Sequence, residues 1–254
     1  MKKIIPLWAV AVVLFFGSCQ NETENKMESR QAEAINIDSD KNLQAKLDLK
    51  KNAFNEKAPE AKKKMYAEGI ETVAKSGVLE KALQVGDNAP NFELTNARGE
   101  KISLAAQLKK GPVVLTWYRG GWCPYCNITL NHLQKVLPNF QKLGVNLFAL
   151  SPETPDSSIS TKEKNELTFE VLSDIGNKVA RDYGVVYKLP DPVAEAYQNG
   201  FDLHKYNGDE SDELPLSATY VIAQNGIIKF AFLDAEYRNR AEPADIIQVL
   251  VELQ

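Results

Sequence analysis

Cys123 and Cys126 stand three residues apart, the spacing of a redox dithiol or of half a metal site. They end the stretch Trp117-Tyr118-Arg119-Gly120-Gly121-Trp122-Cys123-Pro124-Tyr125-Cys126. The branched apolar run Val113 to Tyr118 predicts a buried strand, and Leu130, Leu133, Val136 and Leu137 predict a helix beginning around Cys123. A helix N-terminus carries unpaired N–H groups and the positive end of the macrodipole, so a thiolate there is stabilised and nucleophilic near neutrality. Three-residue spacing puts both sulfurs on one helical face, where a disulfide closes with little backbone movement. Pro124 suits the first turn, because its missing N–H would have had no partner. A zinc site would need further ligands, yet the chain has only His132 and His204 and no second cysteine pair. A purely structural disulfide is the other alternative, but so small a loop constrains the unfolded chain little. Redox chemistry is therefore expected, with no metal and no cofactor.

The third cysteine, Cys19, follows Lys2, Lys3, the apolar run Ile4 to Phe16, Gly17 and Ser18, the layout of an export signal. The run is too short for a transmembrane helix. Small residues directly before a cysteine resemble the lipobox of bacterial lipoproteins, with Phe16 where Leu is usual, so lipidation of Cys19 is expected. An uncleaved anchor and a plain secretory signal are the alternatives. The expected product is a membrane-anchored lipoprotein facing the periplasm or cell surface, where dithiols need a dedicated electron supply. The formal charge is -4, and loss of the two leader lysines takes it to -6, which argues against nucleic acid as a partner. With 44% hydrophobic and 25% charged residues the chain can bury a core and is neither disordered nor polytopic.

The elements that must position the dithiol follow from period and punctuation. After a signal over 1–18 and a polar tether over 19–41, residues 42–84 read as a helical extension, with Pro59 separating two helices. From 85 to 254 strands and helices alternate, which implies a parallel core to the sheet. Phe92 to Thr95 and Lys101 to Ser103 form a hairpin; Val145 to Leu150 and Val171 to Leu172 are strands; Ser160 to Glu166 and Asn177 to Tyr183 are helices. Pro138 predicts a kink or break in the helix that follows the cysteines. Residues 185–213 read as an inserted loop with local helix, whose aromatics Tyr187, Tyr197, Phe201 and Tyr206 either line a groove or cap the core. Thr219 to Ile222 and Ile227 to Phe232 form a tight hairpin, and Ala244 to Leu253 is the last helix. Asp174 and Arg181 are read as capping and surface pairing, and His132 as a helix-surface residue.

The stretches GDNAPNFELTNARGEKISL, VVLTWYRGGWCPYC, LSDIGNKVARDYGV and ATYVIAQNGIIKFAF resemble the peroxiredoxin (AhpC/TSA) branch of the thioredoxin superfamily. More narrowly they resemble its Cys-x-x-Cys subgroup, over about residues 85 to 254, and the helical stretch before them resembles that subgroup's N-terminal extension. The resemblance implies a thioredoxin-like fold in its peroxiredoxin variant, a central mixed sheet flanked by helices. In peroxiredoxins the strand ends in Pro, followed by Thr or Ser and, three residues later, the peroxidatic cysteine; those positions fall here at Arg119, Cys123 and Cys126. Only the last is retained. The active-site Arg of peroxiredoxins, like the cis-Pro of thioredoxins and of many relatives in the subgroup, would fall at Ser217. Arg119 is the candidate electrostatic helper in place of the missing donors, with a surface salt bridge as its alternative.

The resemblance implies an antioxidant peroxidase that reduces hydrogen peroxide or organic hydroperoxides. Cys126 would form the sulfenic acid, Cys123 would condense with it, and thioredoxin or a similar dithiol donor would restore the pair. Trp122-Cys123 resembles thioredoxins and Cys-Pro-Tyr-Cys glutaredoxins, which implies instead a thiol-disulfide oxidoreductase acting on exported proteins, with Cys123 as nucleophile and Cys126 resolving. A non-catalytic lipoprotein binding module using residues 185–213 is the third reading.

Overall fold

The structure, a computed structural model, describes residues 42–96 and 98–254. The expected export signal, the lipidation site Cys19 and the tether lie outside the described residues. Two helices, α1 (Leu43–Lys57) and α2 (Glu60–Ala74), open the described part and break at Pro59 as expected, followed by the single turn α3 (Val78–Lys81). Leu43 and Leu47 give α1 an apolar stripe that is fully buried, a burial that stabilises by roughly 1.5–3 kcal/mol per side chain.

Next come β1 (Glu93–Asn96), β2 (Lys101–Ser103), α4 (Leu104–Leu108), β3 (Val113–Trp117), α5 (Pro124–Lys142), β4 (Asn146–Ser151), α6 (Pro155–Lys164), β5 (Glu170–Ser173) and α7 (Lys178–Asp182). The chain continues through β6 (Val186–Lys188), α8 (Asp191–Phe201), α9 (Leu203–Asn207) and β7 (Glu213–Pro215), and ends with β8 (Thr219–Ile222), β9 (Ile228–Phe232) and α10 (Pro243–Glu252). Seven strands form one sheet in the order β2-β1-β5-β4-β3-β8-β9. Its centre, β3-β4-β5, is parallel, and the outer pairings are antiparallel. Every residue of β3 is buried, which fits its continuous apolar sequence between two neighbours. The β3 chain therefore leaves the middle of the sheet rigidly aimed at the cysteines. Trp117, Tyr183 and Tyr220 lock its last residue, with ring centroids 4.9 to 5.9 Å apart.

Three expectations are corrected. Helix α5 runs on past Pro138, so of the expected kink or break the break is absent; buried Leu130, Leu133, Val136, Leu137 and Phe140 on both sides of the proline hold it against the loss of one backbone bond. The 185–213 insertion is largely regular, because β6 and β7 pair as a separate ribbon around α8 and α9. His132 is buried, not on the surface, since α1 packs over α5 and brings Lys46 Nζ to 3.0 Å from the His132 ring. Asp174 caps as expected, accepting the N–H groups of Val179 and Ala180, and Arg181 pairs with Glu213. Among the described residues no helix is long and apolar enough to cross a membrane.

Candidate active site

The turn between β3 and α5 is shaped by two glycines. Gly120 has φ +151°, and a Cβ there would meet Trp122 Nε1 at 2.1 Å; a Cβ on Gly121 would meet Thr161 Oγ1 at 2.1 Å. Gly121 is pinned on both sides, donating its N–H to Glu153 Oε1 at 2.8 Å and accepting from Asn127 Nδ2 at 2.8 Å. Cys123 then occupies the N-cap position without a side-chain capping bond, and Pro124 is the first helical residue, where its missing N–H would have had no partner. We expect Gly121→Ala to cost about 1–3 kcal/mol through overpacking, read as a lowered melting temperature together with a changed rate of thiol modification.

Both cysteines are free thiols and buried. They are not equivalent. Burial pushes both sulfurs toward the neutral form, but Cys126 is pulled the other way by the hydrogen bond from Cys123, by the charges of Arg240 and Arg119 and by the backbone N–H of Arg119, and its pKa falls to about 5. Cys123 is pushed well up by burial, by its hydrogen bond to Cys126 and by that neighbour's charge. The two sulfurs share a hydrogen bond whose direction and surroundings favour the negative charge on Cys126 over Cys123.

Arg240 supplies one cation, with Nη2 at 3.5 Å from Cys126 Sγ. It approaches from the segment between β9 and α10, where its Nη1 donates to the carbonyls of Tyr237 and Asn239. The family resemblance puts the active-site arginine position at Ser217, where the arginine is absent. Ser217 is buried with its Oγ unpartnered among the described residues, and the guanidinium comes from elsewhere in the chain.

Arg119, the second cation, is not a surface residue in a salt bridge. It is 2% exposed and donates Nη2 to Tyr197 Oη at 2.8 Å. Its guanidinium carbon lies 4.2, 5.1 and 5.3 Å from the ring centres of Tyr237, Trp122 and Tyr197. Such contacts contribute roughly 2 kcal/mol or more when desolvated. Its Nε has no partner among the described residues. The third group near the sulfurs is Glu153, fully buried; it accepts from Tyr118 Oη and Thr161 Oγ1 at 3.2 Å each, besides Gly121. Burial, with the charge of Cys126 adding to it, raises the Glu153 pKa against those hydrogen bonds.

A cavity of about 170 Å³ opens onto Cys123, which lines it together with Arg119, Pro124 and a wall of rings. The extension contributes Phe54 and Tyr66, the insertion Tyr197 and Phe201, and the turn Trp122. These rings touch in sequence: Phe54–Tyr66 at 5.8 Å, Tyr66–Tyr197 at 6.1 Å, Tyr197–Trp122 at 5.2 Å and Trp122–Phe201 stacked at 4.6 Å. Of the insertion's four aromatics, Tyr197 and Phe201 face this vestibule, Tyr187 faces a second cavity on the other side of Arg119, and Tyr206 packs edge-on against Phe201. Cys126 sits behind Cys123 and is not part of the lining.

Comparison with known proteins agrees with this architecture. Residues 85–231 match the AhpC/TSA family. Thiol-disulfide oxidoreductase ResA of Bacillus thuringiensis subsp. konkukian is 31% identical over 108 residues, 42% of this chain and 61% of the relative. Peroxiredoxin Q, chloroplastic, of Oryza sativa subsp. japonica is 28% identical over 158 residues, 62% of this chain and 60% of the relative. The chain thus spans about three fifths of the length of these curated relatives. In structure it is similar to Peroxidoxin BcpB from Mycobacterium tuberculosis, with TM-score 0.56 and 20% identity over 68% of this chain and 99% of that one. A peroxiredoxin-like protein from Aquifex aeolicus gives TM-score 0.53 and 18% identity over 68% and 89%. These structural likenesses establish a thioredoxin-like fold of the peroxiredoxin variant, and the span of the match places the chain in the AhpC/TSA family.

Proposed function

We propose that the protein is a thiol peroxidase in which the Cys126 thiolate reduces a hydroperoxide. The observation that carries this reading is the Arg240 guanidinium 3.5 Å from Cys126 Sγ, a cation that supports a thiolate on the cysteine to which the family resemblance gives the peroxidatic role. The thiolate attacks one peroxide oxygen, the O–O bond breaks, and the other oxygen leaves as an alcohol or water after taking a proton. Cys126 is then a sulfenic acid. Arg119 and Arg240 stabilise the negative charge that moves from sulfur to the leaving oxygen, the role that preorganised donors fill in such transition states. Cys123 condenses with the sulfenic acid, a disulfide forms and water is released.

Recycling uses the asymmetry of the pair. A dithiol donor such as thioredoxin reaches the sulfur that lines the cavity, Cys123, and expels Cys126, the more acidic thiol and so the better leaving group. Two electrons enter, and both thiols are restored.

The ring-lined vestibule supports an organic hydroperoxide with an apolar body as the preferred substrate. Burying such a body at ~25 cal/mol per Å² offsets binding costs that bare hydrogen peroxide cannot meet. Cumene hydroperoxide is expected to show kcat/KM about tenfold or more above hydrogen peroxide, and Phe201→Ala to erase most of that ratio while sparing hydrogen peroxide turnover. Equal values for the two oxidants in the wild type would remove the vestibule from substrate choice.

One observation favours a second reading: of the two sulfurs Cys123 lines the cavity, so a bulky protein disulfide docked there meets Cys123 first, whereas a small hydroperoxide group must reach past it to Cys126. This reading, thiol-disulfide exchange on exported proteins, requires Cys123 to ionise, which its buried position beside the Cys126 charge opposes. An insulin-reduction assay run beside peroxide loss with thioredoxin and its reductase distinguishes the two. The peroxidase reading predicts fast peroxide loss and slow insulin reduction.

A further inference from the structure

The helices α1 and α2 precede the family match, and the vestibule wall explains only part of α1. Besides the Lys46 contact with α5, its first turn makes a separate set of contacts with the segment that carries Arg240. Glu242, at the N-cap position of α10, accepts the backbone N–H of Gln44 at 2.7 Å and of Leu43 at 3.2 Å. These donors lack partners within α1, so the carboxylate caps a helix nearly two hundred residues away in sequence. Gln44 answers in the other direction. Its Oε1 accepts the backbone N–H of Arg240 at 3.2 Å, and its Nε2 lies 3.4 Å from Asn239 Oδ1. One helical turn further on, fully buried Leu47 fixes α1, and Lys51 Nζ is 3.6 Å from Glu236 at the far end of the same segment.

The segment needs such support. It lies between β9 and α10 without regular structure, so its backbone is not held by a ladder, and the Arg240 N–H is donated to a side chain of α1. The other end of Arg240 must keep its Nη2 on Cys126 Sγ, an interaction that weakens steeply with distance and angle.

We propose that Gln44 and Glu242 are positioning residues that hold the Arg240 guanidinium on the Cys126 sulfur, which makes α1 a working part of the thiol site. The claim concerns the charge on sulfur and stands whether the oxidant is a peroxide or a disulfide. The groups that face that sulfur are Cys123 on its own helix, Arg119 at the end of β3, Arg240 beyond β9 and, in opposition, Glu153 after β4. Loss of Gln44 or Glu242 removes none of them and displaces one.

The test is the thiolate absorbance of the full chain followed against pH, taken as the difference between reduced and oxidised protein so that only the pair contributes. Gln44→Ala and Glu242→Ala are expected to raise the first midpoint by about one unit or more, and to slow reaction with cumene hydroperoxide about tenfold near that midpoint. Glu242→Gln keeps one acceptor oxygen where Leu43 and Gln44 use two, and is expected to bring the midpoint only part of the way back to the wild-type value. Thermal melts run on every variant show that the fold persists; if Glu242→Ala does not fold, Gln44→Ala, which removes only side-chain bonds, decides alone. A folded Gln44→Ala protein with the wild-type midpoint overturns the proposal.

Discussion

Cys126→Ser is expected to abolish hydroperoxide consumption, by a thousandfold or more, on the order of what loss of a catalytic nucleophile costs. Cys123→Ser is expected to behave differently, consuming one hydroperoxide per chain and then stopping. Its Cys126 sulfenic acid, with no resolving thiol, should be trapped by dimedone and located by peptide mass spectrometry. The contrast follows from where charge resides. Arg240, Arg119 and the hydrogen bond from Cys123 favour the charge on Cys126, whereas burial and that neighbouring charge push the Cys123 thiol up. A reversed pattern, with the dimedone adduct on Cys123 in the Cys126→Ser variant, would assign the nucleophile to the cavity-facing sulfur and favour disulfide exchange.

The second large effect is the pH dependence. Because the Cys126 pKa is depressed to about 5, the thiolate is present above that pH and is lost as pH falls through it. The rate of oxidation by a hydroperoxide should therefore be flat across neutrality and decline below about pH 5, where an ordinary thiol would still be rising through pH 8. Arg240→Ala and Arg119→Ala each remove a cation facing the sulfur. Each should move the inflection up by about 1–3 units, at 1.36 kcal/mol per unit, so that the rate at pH 6 drops about twofold for one unit, about tenfold for two and nearly a hundredfold for three. Stopped-flow measurement of oxidation against pH reads this directly. Arg119→Ala should in addition lower the rate on the flat part of the profile, since Arg119 stabilises the leaving oxygen as well as the thiolate; an unchanged plateau would reduce it to an electrostatic neighbour.

The dithiol and its strand-helix junction were legible in the sequence because their signals are local. A branched apolar run, two glycines, a Cys-Pro pair and a 3.6-residue apolar period lie within about thirty residues, and the structure builds β3, the turn and α5 from them. Arg119 could be placed near the sulfurs for the same reason, although its burial among three rings could not, because Tyr197 and Tyr237 come from distant segments. Arg240 was missed entirely. It lies 114 residues from Cys126 in an irregular segment with no periodicity to read, and the family pattern drew attention to Ser217. A basic residue in a short segment between the last hairpin and the last helix was the one available signal. His132 was misjudged for a related reason: its exposure depends on α1 lying across α5, and a helix's own pattern does not reveal what a separate helix covers. Pro138 shows the same limit in the opposite sense, since tertiary packing on both sides outweighed a local breaker.

The most direct test mixes fully reduced protein with one equivalent of cumene hydroperoxide and counts peroxide and free thiols in the same sample. The prediction is that each chain removes one peroxide and loses two thiols, and that peptide mapping finds a bond between Cys123 and Cys126. Peroxide that persists while the same protein reduces the disulfides of insulin would contradict a peroxidatic Cys126.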